Sequence, residues 1–149
     1  MFKRALCSVT IAAAVVLSVG CASVQMASPE KDAAAKSFAV KADKANIYVY
    51  RNETMGAAVK MPVALNGKLI GDTAANTYIK LEVPPGEHTL LSKTENDSVL
   101  PLKTVAGKNY FVWQEVKMGM FAARSALQLV DETTGKAGVQ ECKLIQESY

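Results

Sequence analysis

Histidine occurs once in the 149 residues, tryptophan once and cysteine three times. A zinc site draws on several His or Cys ligands, and a hydrolytic triad sets a His beside a nucleophile. His88, two residues past Pro84-Pro85-Gly86, therefore reads as a satisfied or exposed strand histidine rather than a base or ligand. Gly67, Gly71 and Gly86 fit turns and strand ends, and no G-x-x-x-x-G-K phosphate loop occurs. Acidic pairs such as Asp131-Glu132 fall at turns and caps, where solvated carboxylates are ordinary. No catalytic residue, metal or cofactor is expected, and the chain reads as non-enzymatic. Charge of one sign is also lacking: 17 basic residues face 14 acidic ones, with none of the basic stripe that nucleic-acid binding needs.

No long apolar run is present either. Ala5–Val19 falls short of the roughly 20 residues of a membrane-spanning helix. Behind Lys3 and Arg4, and closed by Leu17-Ser18-Val19-Gly20-Cys21, it has the order of a cleaved secretory signal. The Gly20-Cys21 junction resembles the bacterial lipobox, with Ser18 where Leu is usual three places before the Cys. That resemblance implies a signal peptide over 1–20, cleavage and triacylation at Cys21, and attachment to a membrane. Several acyl chains make detachment very slow, since one chain alone holds only marginally. Ala22 in place of Asp implies release to the outer membrane, facing the periplasm, in bacteria that sort by this position. Removing 1–20 leaves 15 basic against 14 acidic residues.

With Cys7 in the signal and Cys21 acylated, Cys142 is the remaining thiol, so no internal disulfide is expected. A lone Cys is most often a small buried hydrophobe. Residues 21–44 read as a lipidated tether with one short helix. Ser28 can cap it, Pro29 suits its first position, and Glu30 faces its positive end. Phe38, a large apolar residue in this stretch, can pin it to the domain that follows.

From Ala45 to Tyr149 the pattern is short alternating runs with turn chemistry between them. Ile47-Tyr48-Val49-Tyr50 is β-branched and aromatic. Asn66-Gly67 between Met61–Leu65 and Lys68–Gly71 signals a type I′ hairpin. Ile79, Leu81 and Val83 share a core face. Pro84-Pro85-Gly86 suits a type II turn before Glu87–Lys93, and Pro101 marks Ser98–Val105 as an edge or bulged strand. Tyr110–Lys117 and Ser125–Val130 complete the set. The expected fold is mainly all-β: one small antiparallel β-sandwich of about 7–8 strands. Trp113, on the Phe111 face of its strand, reads as core. The tail reads as a turn plus a possible short helix packing on the sheet. Asp131 can cap a short C-terminal helix and Val139, Cys142 and Ile145 share a face, but Gly135 and Gly138 argue against helix.

One connection departs from the polar habit of loops. Lys117-Met118-Gly119-Met120-Phe121-Ala122-Ala123-Arg124 sets two Met and a Phe around a Gly, bounded by cations. Met118, Met120, Phe121 and Arg124 are candidate partner-binding residues in a docking or membrane-facing loop. The competing reading folds the three apolar side chains back as a cap on the sandwich.

Ile47-Tyr48-Val49-Tyr50-Arg51, Leu65-Asn66-Gly67-Lys68 with Gly71, Pro84-Pro85-Gly86-Glu87-His88 and Gly107-Lys108-Asn109-Tyr110-Phe111-Val112 recur in order. So do Glu115-Val116-Lys117-Met118-Gly119, Leu129-Val130-Asp131 with Gly135, and Glu141-Cys142-Lys143-Leu144. Over Ala45–Leu144 the chain thereby resembles the bacterial lipoproteins with domain of unknown function 2846. The resemblance implies an envelope lipoprotein with a β-rich domain and no assigned activity. The hairpin expected around Pro84–His88 also resembles transthyretin-like and PEGA-type sandwich modules, which is fold-level analogy alone. The expected role is a lipid-anchored, non-enzymatic interaction or structural module with a possible envelope protein partner. The alternative is a small-ligand or glycan-binding module with a groove lined by Tyr48, Tyr50 or Tyr78.

Overall fold

A computed structural model describes residues 21–146; the expected signal peptide, residues 1–20, lies outside the described residues. The elements run α1 (Pro29–Ala35), β1 (Ala45–Arg51), β2 (Met61–Leu65), β3 (Lys68–Thr73), β4 (Thr77–Val83), β5 (Gly86–Lys93), β6 (Asp97–Thr104), β7 (Asn109–Met118), β8 (Ala123–Val130), α2 (Glu132–Gln140) and β9 (Lys143–Leu144). Two sheets face each other, ordered β8-β7-β1-β4-β9 and β3-β2-β5-β6. This is an all-β sandwich, with both helices laid on the outer face of the larger sheet.

β1 is buried along its whole length because both of its faces are covered. Ile47 and Val49 point between the sheets and join Val63, Ile79, Leu81, Val83, Leu90, Leu102 and Val112 in the main core. Tyr48 and Tyr50 point the other way, into a second core with Tyr78, Phe111, Val139 and Cys142 beneath the helices. Full burial of a large apolar side chain contributes about 2 kcal/mol, so neither face of β1 is optional.

Turn chemistry explains the hairpins. Asn66 and Gly67 both take positive φ, 51° and 82°, as a type I′ turn requires. Pro101 lies on β6, the edge of its sheet, where its missing N–H leaves no ladder bond unmade.

Two expectations need correction. The sandwich is not purely antiparallel: β1 pairs with β7 in parallel, as does β4 with the two-residue β9. β7 reaches the free side of β1 only after the chain has built the opposite sheet, and so arrives in the same direction. The Pro84-Pro85-Gly86 corner is not a hairpin, because β4 and β5 belong to different sheets. The two prolines donate no bonds there, and Gly86, at φ 139°, turns the chain across.

The short C-terminal helix expected of the tail forms as α2, and its glycines, poor helix formers, serve its packing. Asp131 caps α2, accepting from the Thr134 amide at 2.9 Å. A Cβ on Gly135 would stand 2.1 Å from Phe111 Cβ, and one on Gly138 2.2 Å from Tyr50 Cε2. They are the notches that let the helix lie close on the aromatic sheet face, and packing overrides their poor propensity. Val139 and Cys142 face that layer, whereas Ile145 lies past the helix and turns into the core between the sheets.

The 21–44 segment is docked. Ser28 accepts from the Lys31 amide at 3.4 Å, with Pro29 at the first helical turn. Asp32 accepts from the Tyr78 hydroxyl (2.9 Å), the Leu144 amide (2.9 Å) and Lys36 Nζ (2.8 Å). Burial pushes its carboxyl up, but the Lys36 bond, those two donors and the Lys36 charge together hold it below the usual range. Phe38 packs edge-on against Tyr48 and Phe111, ring centroids 5.4 and 5.7 Å away.

Candidate functional site

The tyrosines proposed as a ligand groove are structural. Tyr48, Tyr50 and Tyr78 are buried, and two of their hydroxyls are spent on α1: Tyr48 donates to Ala35 O at 3.0 Å and Tyr78 to Asp32. Desolvation pushes the Tyr48 phenol up to about 12. No ring among the three is presented to a ligand, which overturns the tyrosine-groove alternative. Trp113 is half-buried and packs beside this cluster.

His88 is equally engaged. Its Nε2 lies 2.8 Å from Pro84 O, as a donor, and its Nδ1 2.9 Å from the Asn66 side-chain amide. Asn66 Oδ1 in turn accepts from the Thr89 amide at 2.8 Å. The imidazole ties the Asn66-Gly67 turn to the Pro84 corner. Cys142, 1% exposed, lies under α2, where desolvation pushes its thiol up to about 12; such a thiol is a poor nucleophile. Cys21, by contrast, is exposed.

The most exposed large apolar side chains among the described residues are those of the β7–β8 tip. Met118, Met120 and Phe121 are 83, 82 and 92% exposed, so they do not fold back to cap the sandwich. Arg124 is exposed as well. The backbone beneath them is nonetheless fixed. Glu95, from the β5–β6 turn of the opposite sheet, accepts the amides of Met120 (3.1 Å), Phe121 (2.9 Å) and Ala122 (2.7 Å). Those three amides, Phe121 first, hold the Glu95 carboxyl below its ordinary range, helped by the Arg124 charge. Gly119 closes the turn: a Cβ there would stand 2.0 Å from Ala122 O and 2.7 Å from Glu95 Oε2. The apolar side chains are thus carried outward on an ordered support.

At the base of the tip, Lys117 and Arg124 are cross-strand partners, an arrangement in which like charges repel. Lys117 Nζ is 3.5 Å from a Glu115 carboxylate oxygen, an exposed and weak pairing. The neighbouring 52–60 loop is organised by the fully buried Arg51. Its guanidinium donates to Val59 O (2.8 Å), Gly56 O (2.6 Å) and Met55 O (3.3 Å). Gly56 lies against the tip's base, where a Cβ would be 3.1 Å from Val116 Cγ1 and 3.9 Å from Ala123 Cβ. The next residue, Ala57, accepts the amide of Ala22 at 2.9 Å. The chain leaving Cys21 is therefore bonded to a loop that touches the root of the tip.

The sequence alone singles out the apolar loop and Cys21 as candidates; it does not reveal the support given by Glu95, Arg51 and Gly119. No local spacing links Glu95 to a loop 25 to 27 residues away.

The profile of a family described as protein of unknown function (DUF2846) matches residues 41–126. That stretch takes in β1 to β7 and the tip but neither helix, so the resemblance from Leu129 onward lies beyond it. An uncharacterized protein of Haemophilus influenzae is 32% identical over 146 residues, covering 97% of this chain and 84% of the relative. No solved structure matches. With more than half of its residues inside the profile, the chain belongs to the DUF2846 family.

Proposed function

We propose that this protein is a lipid-anchored, non-enzymatic module of the bacterial cell envelope. It is held through acylated Cys21, faces the periplasm from the outer membrane, and works by contact through the β7–β8 tip. The observation that carries the reading is the contrast between its two described thiols. Cys21, after Gly20, is exposed at the head of the docked segment, while Cys142 is sealed beneath α2. Support for a contact role over catalysis comes from the engagement of His88, Cys142 and the tyrosines in packing and hydrogen bonds. The test is labelling of cells with a palmitate analogue, followed by membrane fractionation of the parent and of Cys21→Ser. Incorporation and outer-membrane recovery in the parent, both lost in Cys21→Ser, are expected. Label that persists in Cys21→Ser, or never enters the parent, overturns the reading.

A further inference from the structure

We infer that the β7–β8 tip is a second membrane contact: Met118, Met120 and Phe121 enter the lipid interface beside the Cys21 anchor, and Lys117 and Arg124 meet anionic headgroups. This names the partner of the surface proposed above and rests on that reading.

Four observations favour a bilayer. The first is position. From Cys21 the path runs through the Ala22–Ala57 hydrogen bond to Gly56, and from Gly56 to Val116 and Ala123 at the root of the tip. A chain anchored at Cys21 therefore holds this end of the domain near the lipid. Met55, half exposed in the same loop, adds to the apolar character there.

The second is shape and size. The tip is a convex turn bearing three large apolar side chains, a few hundred Å² in all, whereas a stable protein interface takes roughly 800 Å² from each partner. A small wedge is adequate at a bilayer when an anchor supplies a high effective concentration.

The third is the backbone. Polar backbone groups entering an apolar region need partners within the protein. The amides of Met120, Phe121 and Ala122 already donate to Glu95, so that much of the turn can leave water with its donors satisfied.

The fourth is charge. Lys117 facing Arg124 across the strands is unfavourable in water, yet it suits a surface of anionic lipid. Of the carboxylates nearby three are engaged, while Asp97 lines the same hollow as Lys117 and Arg124. Glu95 holds the three amides, Glu53 accepts from the Val116 amide at 3.1 Å, and Glu115 is bonded by Gln128 and close to Lys117.

The test supplies the anchor chemically, so that it does not depend on acylation in cells. The full chain with Cys7→Ser is coupled through exposed Cys21 to a maleimide-headgroup lipid, buried Cys142 being spared. The lipid sits in vesicles of phosphatidylethanolamine and phosphatidylglycerol. Phe121→Trp is compared with the parent, so that Trp113 cancels in the difference spectrum; Met120→Trp is a second reporter, and both positions are exposed enough to accept the ring. Blue-shifted emission, quenched by bromines placed just below the headgroups, is expected. Lys117→Gln with Arg124→Gln should weaken that quenching in anionic vesicles and leave it unchanged in neutral ones. Emission at the water-exposed wavelength with no quenching overturns the inference, whatever the acyl labelling of Cys21 shows. Photo-crosslinks from positions 118 and 120 in cells that capture one protein and no lipid overturn it in favour of a protein partner.

Discussion

Gly135 and Gly138 lie on the face of α2 turned toward Phe111 and Tyr50, closer than any Cβ could stand. On an exposed helix, Ala in place of Gly gains about 1 kcal/mol of propensity. Here each methyl meets ring or Cβ atoms of a packed aromatic layer, and overpacking costs about 1–3 kcal/mol. Steric conflict should win, so Gly138→Ala is expected to lower stability by roughly 1–2 kcal/mol. Urea unfolding with an unchanged slope would measure it, and a midpoint equal to or above the parent's would mean that α2 moves aside freely. Gly119 differs in kind, because its forbidden contact is with the backbone of its own turn. Arg51 is a third residue whose work is local: it collects three carbonyls of the 52–60 loop, with burial pulling its guanidinium down from its usual value.

Among the elements, the β7–β8 tip should respond to pH. The Glu95 carboxyl is depressed by the amides it accepts, so its bonds are complete above the ordinary Glu value of about 4.3. They are lost as pH falls through the lowered value. Amide exchange of Met120, Phe121 and Ala122 should therefore stay protected near neutrality and rise on acidification or in Glu95→Gln. The strands should remain unaffected; if those amides exchange equally fast in parent and variant at neutral pH, Glu95 does not hold the turn. At this scale the sequence was a good guide wherever the determining residues were neighbours. Asn66-Gly67, Ser28-Pro29, Asp131 and the alternation of Ile79, Leu81 and Val83 each carry their own local signal. It misled where the determinant lay in another element. Tyr48, Tyr50 and Tyr78 looked like a platform because α1 and α2, which cover them, cannot be placed from the strand pattern. Gly138 looked like a helix breaker because Tyr50 is its reason for being small. The exposure of the tip was undecidable from its composition, since apolar side chains suit a cap and a contact surface equally.

For the whole molecule, Cys142 is a built-in reporter. Its thiol is pushed up to about 12 by burial and lies under the last helix, where Sγ is 3.5 Å from Arg51 O as a donor. In the unacylated chain with Cys7→Ser, a thiol reagent at pH 8 should modify exposed Cys21 at once and leave Cys142 untouched until α2 lifts. In denaturant its rate should follow global unfolding, because α2 carries both Val139 and the cover of the tyrosine layer. Rapid modification of both thiols in the native protein would mean that α2 opens independently of the sandwich.

The parallel pairing of β1 with β7 also shapes the order in which the chain can be assembled. Asn46 and Asn109, which join side chains across that pair at 3.0 Å, are 63 residues apart. The central strand is therefore synthesised early and completed late, with β2 to β6 in between and its second cover, α2, arriving only near the C-terminus. Long-range parallel pairing of this kind is slow and leaves apolar edges open while it waits. A nascent chain stopped before Asn109 holds β1 with one flank bare, and one stopped before Glu132 leaves the tyrosine layer without its helix. Either exposes apolar surface that the complete fold covers.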